Sequence, residues 1–327
     1  MGMSRGNEIY PPSGNHEGFK KISAILLCIG VMSMTAGCGG GGGGSSGAAP
    51  GVAATPPQTA MWTMMMARGA EEFVSQLATT TNINTHNQAF LTNQKTTCSN
   101  GGSLSASGSL SSINFAASNC LTNSVTSNGS ANLSWNTVNY MNCLNVNIPT
   151  NLTYIYTITN LSLSQTNPTE LFSSNGGVSL TESAPTCSAS SFTIPIQVSV
   201  LSGAPLTFHL TINSSTSLDA TINTFVGTIT STSNNTSQLT NTNYSFSGTF
   251  TQPNSSGIYS FSSSSTDPFI IDYATSSEFS SGSMTITGPN ETDVLKITGP
   301  GQVTVTTTIS GVSKTTTETI NSFMGIS

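Results

Sequence analysis

Charge is what this chain has least of. Asp, Glu, Lys and Arg make up 6% of its 327 residues, where an ordinary soluble domain carries about a quarter. Past position 38 the basic residues are Arg68, Lys95, Lys296 and Lys314, against eleven acidic ones, so that 4 − 11 = −7. Phosphate backbones are held by clustered Lys and Arg, so no nucleic acid is expected as a partner. The same scarcity argues against a polybasic grip on an anionic membrane surface. Long apolar runs are missing as well. The best, 22–34, is shorter than the roughly 20 residues a spanning helix needs.

Histidine is nearly absent, with three in the chain. His209 lies between Phe208 and Leu210, so strand alternation turns it to the wet face with Thr207 and Thr211. His86 sits in an Asn/Thr-rich stretch without a local partner. The many serines therefore have no evident general base. No G-x-S-x-G occurs, and no Gly-rich phosphate loop opens a helix. The carboxylates Asp267, Asp272, Glu278, Glu291 and Asp293 fall near turns. They lack the dense spacing of a calcium loop, and nothing fixes two of them as a facing acid pair. They read as solvated turn acids. No catalytic residue, cofactor or metal is expected, and the chain is read as non-enzymatic.

What is abundant is Ser, Thr and Asn. These residues disfavour helix interiors because their side chains compete for nearby backbone hydrogen bonds. Thr in particular suits a half-buried pleated surface. From Cys98 onward, apolar residues alternate with them at period two. Tyr154, Tyr156 and Ile158 do so, as do Phe192 to Val200, Leu206 to Ile212, Leu218 to Ile222, and Tyr244 with Phe246. Phe269, Ile271 and Tyr273, then Met284 with Ile286, then Val303, Val305 and Ile309, continue the series. Such alternation marks antiparallel strands with one packed and one wet face. Short turn-like links separate the runs: 202–205, 253–257, 288–290, 299–301 and 310–311. Pro195, on a wet phase, suits an edge strand. One helix is expected over 59–79, where Met61, Met64, Met65, Ala70, Phe73, Val74 and Leu77 form an apolar stripe that packs on the core. The fold class expected is all-β, a mostly antiparallel meander forming a sandwich or a curved half-barrel, preceded by one short N-terminal helix.

The first fifty residues carry a different signal. Lys20 and Lys21 precede the apolar run, which ends in Thr35-Ala36-Gly37-Cys38; a basic flank, an apolar stretch and small residues mark a secretory signal. Thr35-Ala36-Gly37-Cys38 resembles the lipobox of bacterial lipoprotein precursors. That resemblance implies a diacylglycerol on the Cys38 thiol, cleavage before it and acylation of the new amino terminus. Gly39, where Asp would retain such a protein at the inner membrane, implies an outer-membrane address. The glycines at 39–44 and the small residues after them form a flexible tether. The rest is similar to Ser/Thr-rich lipoproteins of unknown function from Gram-negative bacteria. The organisation expected is a signal peptide over 1–37, lipidated Cys38 and tether over 38–58, helix and linker over 59–97, and a β-rich domain over 98–327.

Six cysteines are present. Cys28 leaves with the signal and Cys38 takes the lipid, so Cys98, Cys120, Cys143 and Cys187 remain, an even number in an exported domain. Of three pairings, Cys98–Cys120 with Cys143–Cys187 is favoured, because sequential closure suits neighbouring strands. Three functions stay open. The first is a surface or periplasmic interaction module, adhesive in character, with a protein or glycan partner and the lipid bilayer held through Cys38. The second is a carrier sheltering an apolar ligand in a half-barrel. The third is a hydrolase assembled from distant acids.

Overall fold

The computed structural model describes residues 52–79, 94–109, 111–122, 125–136, 139–144, 146–166, 169–212, 216–234, 239–253, 255, 257–275 and 278–324. Cys38 with its signal and His86 lie outside these residues. So do the side chains of Ala70, Phe73, Val74 and Leu77, although the helix backbone that carries them is described. After a two-residue strand, β1 (Val52–Ala53), comes helix α1 (Pro56–Thr79). It starts earlier than the apolar stripe indicates, and the reason is local. Thr55-Pro56-Pro57-Gln58 is a capping box: Thr55 N donates to Gln58 Oε1 at 2.7 Å, and Gln58 N reaches Thr55 Oγ1 at 3.5 Å. Proline in the first helical turn loses nothing, since those N–H groups have no intrahelical acceptor.

Eighteen of the described strands make one sheet. Its first half runs through β2 (Gln94–Thr97), β3 (Ser103–Ser109), β4 (Ser112–Thr122) and β5 (Val125–Trp135). A separate hairpin follows, β6 (Asn139–Cys143) with β7 (Val146–Thr150), before β8 (Leu152–Thr166) and β9 (Thr169–Glu182) resume the sheet. Then come β10 (Thr186–Cys187), β11 (Ser191–Val200), β12 (Leu206–Ile212), β13 (Thr216–Asn234), β14 (Leu239–Thr251), β15 (Ile258–Ser263) and β16 (Phe269–Asp272). The series closes with β17 (Phe279–Thr287), β18 (Glu291–Gly299), β19 (Gln302–Ile309), β20 (Val312–Thr319) and a last short helix, α2 (Ile320–Met324). The pairings are antiparallel, most of them between strands adjacent or one apart in sequence, except that β1 runs parallel to β13. The fold is thus all-β and mostly antiparallel, with one N-terminal helix.

One link departs from its expected role. Residues 202–205 do not close a hairpin. Strands β11 and β12 both lie antiparallel to β9 on one flank and to β13 on the other, so they run end to end in a single lane. The link stays bonded to β9, Leu201 N donating to Gly177 O at 2.9 Å and Gly177 N to Ala204 O at 3.2 Å. At Gly176, with φ +121°, a Cβ would lie 2.3 Å from Pro205 O, so only glycine fits opposite the link. Strands β15 and β16 share a lane between β14 and β17 in the same way. Pro195 is likewise not on an edge strand, since β11 is interior. It lies one residue beyond the last pairing with β9, Ile196 with Glu182, and its carbonyl accepts from Ser183 N on that flank. The missing proline N–H thus points to where the β9 ladder has already ended.

The sheet curls around α1. The helix touches β11, β13, β17 and β18. From β11 to β18 is five strand spacings, about 24 Å on a flat sheet at about 4.8 Å each. The 24-residue helix is long enough to cross those strands, so it is the burial of its first turns, more than the contacts, that shows the sheet bending over it. Register shifts in the pairings β13–β14, β16–β17 and β18–β19 supply bends. The first turns of α1 are buried on every side: Thr59, Ala60, Met61, Trp62, Thr63, Met64, Ala67 and Arg68 are all in the interior. That is the signature of an enclosed helix rather than of a stripe lying on a surface. In the same core cluster are Ile222, Ile229, Tyr244, Phe250, Phe269 and Ile286, all fully buried. Arg68 lies over the Phe279 ring at 5.8 Å. Gln58 Nε2 donates to Phe323 O at 2.6 Å and so ties α1 to α2.

Candidate functional site

With the concave face occupied by α1, the chain presents its outer face and its edges. Alternation places one Ser, Thr or Asn opposite another across neighbouring strands. Hydroxyls pair at 2.9 Å between Thr304 and Thr317, 2.9 Å between Thr306 and Thr315, and 2.8 Å between Thr224 and Thr249. Asn132 Nδ2 donates to Asn114 Oδ1 at 2.6 Å. Each group has two roles in hydrogen bonding, so a pair that satisfies itself can still accept from or donate to a ligand.

A polar constellation that includes charge sits on β12 and β13. Their register sets His209 directly opposite Asp219 and Thr211 opposite Ser217. His209 Nδ1 is bonded to Asp219 Oδ1, His209 Nε2 to Thr211 Oγ1 at 2.9 Å, and Ser217 Oγ donates to Asp219 Oδ2 at 2.8 Å. In the neutral ring these partners fix one tautomer: Nδ1–H donates to the carboxylate and Nε2 accepts from the threonine. His209 and Asp219 are a third or more exposed, at 33% and 39%. They open into a groove of about 500 Å³ whose walls include Asn160, Asn175, Thr207 and Thr221.

Carboxylate, imidazole and hydroxyl in line have the order of a nucleophilic triad, yet an acyl transfer also needs free N–H donors where an oxyanion would form. Strand β12 is paired on both flanks, Thr211 with Ser217 on one side and with Leu171 on the other. Its backbone donors are used in the ladder.

No family model matches the chain, and neither a curated protein nor a solved structure matches it. The site is therefore read from its own geometry.

Cys98 is bonded to Cys120 and Cys143 to Cys187. The first bond ties the loop before β3 to β4. The second holds the β6–β7 hairpin to β10, around a small cluster of Cys143, Ile148 and Phe192. Of the acids named from sequence, Glu291 and Asp293 share β18 and lie close enough to influence each other, while Asp272 and Glu278 are engaged elsewhere. Asp272 Oδ1 accepts from Ala274 N at 3.0 Å in a local turn, and Glu278 reaches Gly301 in the β18–β19 turn. Among the described residues, no three of His, Cys, Asp and Glu gather into a group that could hold a metal ion.

Asp293 is not a solvated turn acid. It is 1% exposed, on the core face of β18 in phase with Leu295 and Ile297. Thr307 Oγ1 donates to its Oδ1 at 2.5 Å, while Oδ2 has no protein partner among the described residues. Burial raises its pKa above the usual carboxylate range, and Glu291 adds to the rise, while the Thr307 hydrogen bond opposes it.

Sequence reasoning missed two things here, the Asp219 partner of His209 and the burial of Asp293. Both had a signal. Centring the hairpin on 213–215 pairs 209 with 219, and the Asp293–Leu295–Ile297 alternation puts the acid on the apolar side.

Proposed function

We propose that this chain is a membrane-anchored, non-enzymatic interaction module, tethered through acylated Cys38 and binding neutral, hydroxyl-rich glycan on the outer face of its sheet. The observation that carries the reading is the helix enclosed by the concave face. A carrier needs an unfilled apolar cavity, and here Met61, Met64 and Trp62 fill the curve of the sheet. A carboxylate hydrolase needs two acids at a fixed separation within reach of substrate, and the two candidate acids that share a strand, Glu291 and Asp293, include one that is 1% exposed.

The outer face then decides the class of partner. Protein interfaces draw most of their affinity from Trp, Tyr and Arg. Trp62, Trp135 and Arg68, at 4%, 9% and 9% exposure, are all interior, and they are the chain's two tryptophans and its one arginine after position 38. Tyr140, 49% exposed on the separate β6–β7 hairpin, and scattered apolar residues such as Ile258 and Val312 lie outside as well; the rest of the outer face is chiefly hydroxyl and carboxamide, which match the donors and acceptors of a sugar. In the groove at His209 and Asp219 a charged group joins them in a fixed geometry, held by His209 and Ser217.

The test is a glycan array probed with the full chain in detergent, alongside the His209→Ala/Asp219→Ala double variant. Loss of two hydrogen-bonding groups predicts about a ten-fold or greater drop in binding at unchanged fold. Absence of any glycan binding, together with a lipid extractable from the purified protein, would overturn the reading in favour of a carrier.

A further inference from the structure

Among the described residues, the last strand of the sheet has one flank that no strand pairs with. Strand β20 pairs with β19 in unbroken register from Gln302–Thr319 to Ile309–Val312. The turn between them is two residues long, with Ser310 at φ 50° and Gly311 at φ 81°, a type I′ hairpin. In such a hairpin the flanking residues exchange both hydrogen bonds, so Val312 directs its N–H and C=O at β19. Alternation then aims those of 314, 316, 318 and 320 the same way. Ile320 N does donate to Gly301 O at 2.9 Å, as this parity requires. The N–H and C=O of Ser313, Thr315, Thr317 and Thr319 therefore point away from the sheet, where among the described residues no strand meets them.

Natural sheets blunt a free edge by shortness, proline, bulges or many charges. The opposite edge, β2, is four residues long and carries Lys95. β20 has eight residues, no proline, no bulge and only two charges, Lys314 and Glu318. The strand is exposed along almost its whole length, with Val312 at 75%. Helix α2 leaves the edge clear, because Phe323 and Met324 turn inward into the core.

We propose that this edge pairs with the same edge of a second copy of the chain, in one antiparallel register. The edge itself selects the register. Hydrogen-bonded pairs form only between residues whose backbone groups point outward, all of them odd-numbered, so the numbers of two facing residues must sum to an even value. A sum of 632 makes Ser313 face Thr319 and Thr315 face Thr317. Both pairings occur twice about the two-fold axis, which is more hydrogen-bonded pairs than a sum of 630 provides. In that same register Lys314 of each copy faces Glu318 of the other, and Thr316 faces itself on the axis. The two charges of the strand thus meet twice, at non-hydrogen-bonded positions where side chains come closest. The isologous contact closes on itself. The proposal is independent of the glycan reading, since it uses a different surface and needs no ligand.

Two measurements on the full chain in detergent test it. Sedimentation should give twice the mass of one chain. Lys314→Glu, which sets like charges face to face, should weaken self-association about ten-fold, and Lys314→Glu/Glu318→Lys should restore it. Thr316→Cys should cross-link two chains under mild oxidation, because a residue facing itself across a non-hydrogen-bonded pair meets the Cα separation a disulfide needs. Thr315→Cys, offset from its own copy, should not. A single-chain mass for the unmodified protein, which would leave the edge to a strand of some other protein, would overturn the proposal. So would undiminished association of Lys314→Glu, or equal cross-linking at positions 315 and 316.

Discussion

Asp293 places an ionisable group on the apolar side of β18, and pH should reveal it. Its folded-state pKa is raised above the ordinary value of 3.8 by burial. Between the ordinary and the raised value the folded chain keeps a proton that the unfolded chain has lost. Stability contributed by this group is therefore greatest below 3.8, declines as pH rises through the raised value, and is flat beyond it. Asp293→Asn keeps the shape and the Thr307 contact without the charge. The variant should melt higher than the parent at neutral pH and lose that advantage as pH falls towards 4; parallel melting curves at every pH would contradict the assignment. The burial of Asp293 was legible in the sequence, because Leu295 and Ile297 share its phase. The carboxyl's lack of a second partner was not, since that depends on which side chains β17 and β19 bring alongside.

The helix is the element on which the interior depends. Met61 and Met64 are fully buried, and truncation of such a side chain leaves a cavity the curved sheet cannot collapse to fill. Met64→Ala is expected to lower unfolding stability by about 2–5 kcal/mol, read as a shift in denaturant midpoint at constant slope. A change under about 0.5 kcal/mol, within the range of exposed surface sites, would mean the helix is not enclosed. At this scale the alternating runs were readable as strands because burial on one face imposes period two. The helix start was written in Thr55-Pro56-Pro57-Gln58, a capping signal masked by the prolines that make it look like tether. The end-to-end run of β11 and β12 had no local signature. A four-residue link rich in Gly and Pro looks alike whether it reverses the chain or continues it, and what decides is the bonding of 201 and 204 to Gly177.

Across the whole molecule, pairing between sequence neighbours yields a single long sheet, and a sheet this long must curl or split to bury its apolar face. The meander was legible, because short turns between alternating runs leave no room for crossovers. Whether it would become a sandwich or a curved half-barrel was left open by the sequence. That choice depends on what packs inside, and the outcome is a sheet wrapped on its own N-terminal helix. If the glycan proposal holds, the low charge and the hydroxyl coat are properties of an outer face that serves for contact. On the proposed reading the anchor and the domain are separate devices joined by the small-residue stretch at 39–50, so that removing one should leave the other intact. The direct measurement is fractionation of cells producing Cys38→Ala beside the unmodified chain, with thermal melting of both purified proteins. The account predicts that the variant moves from the membrane to the soluble fraction while its melting transition stays unchanged. A variant that remains with the membrane would contradict it.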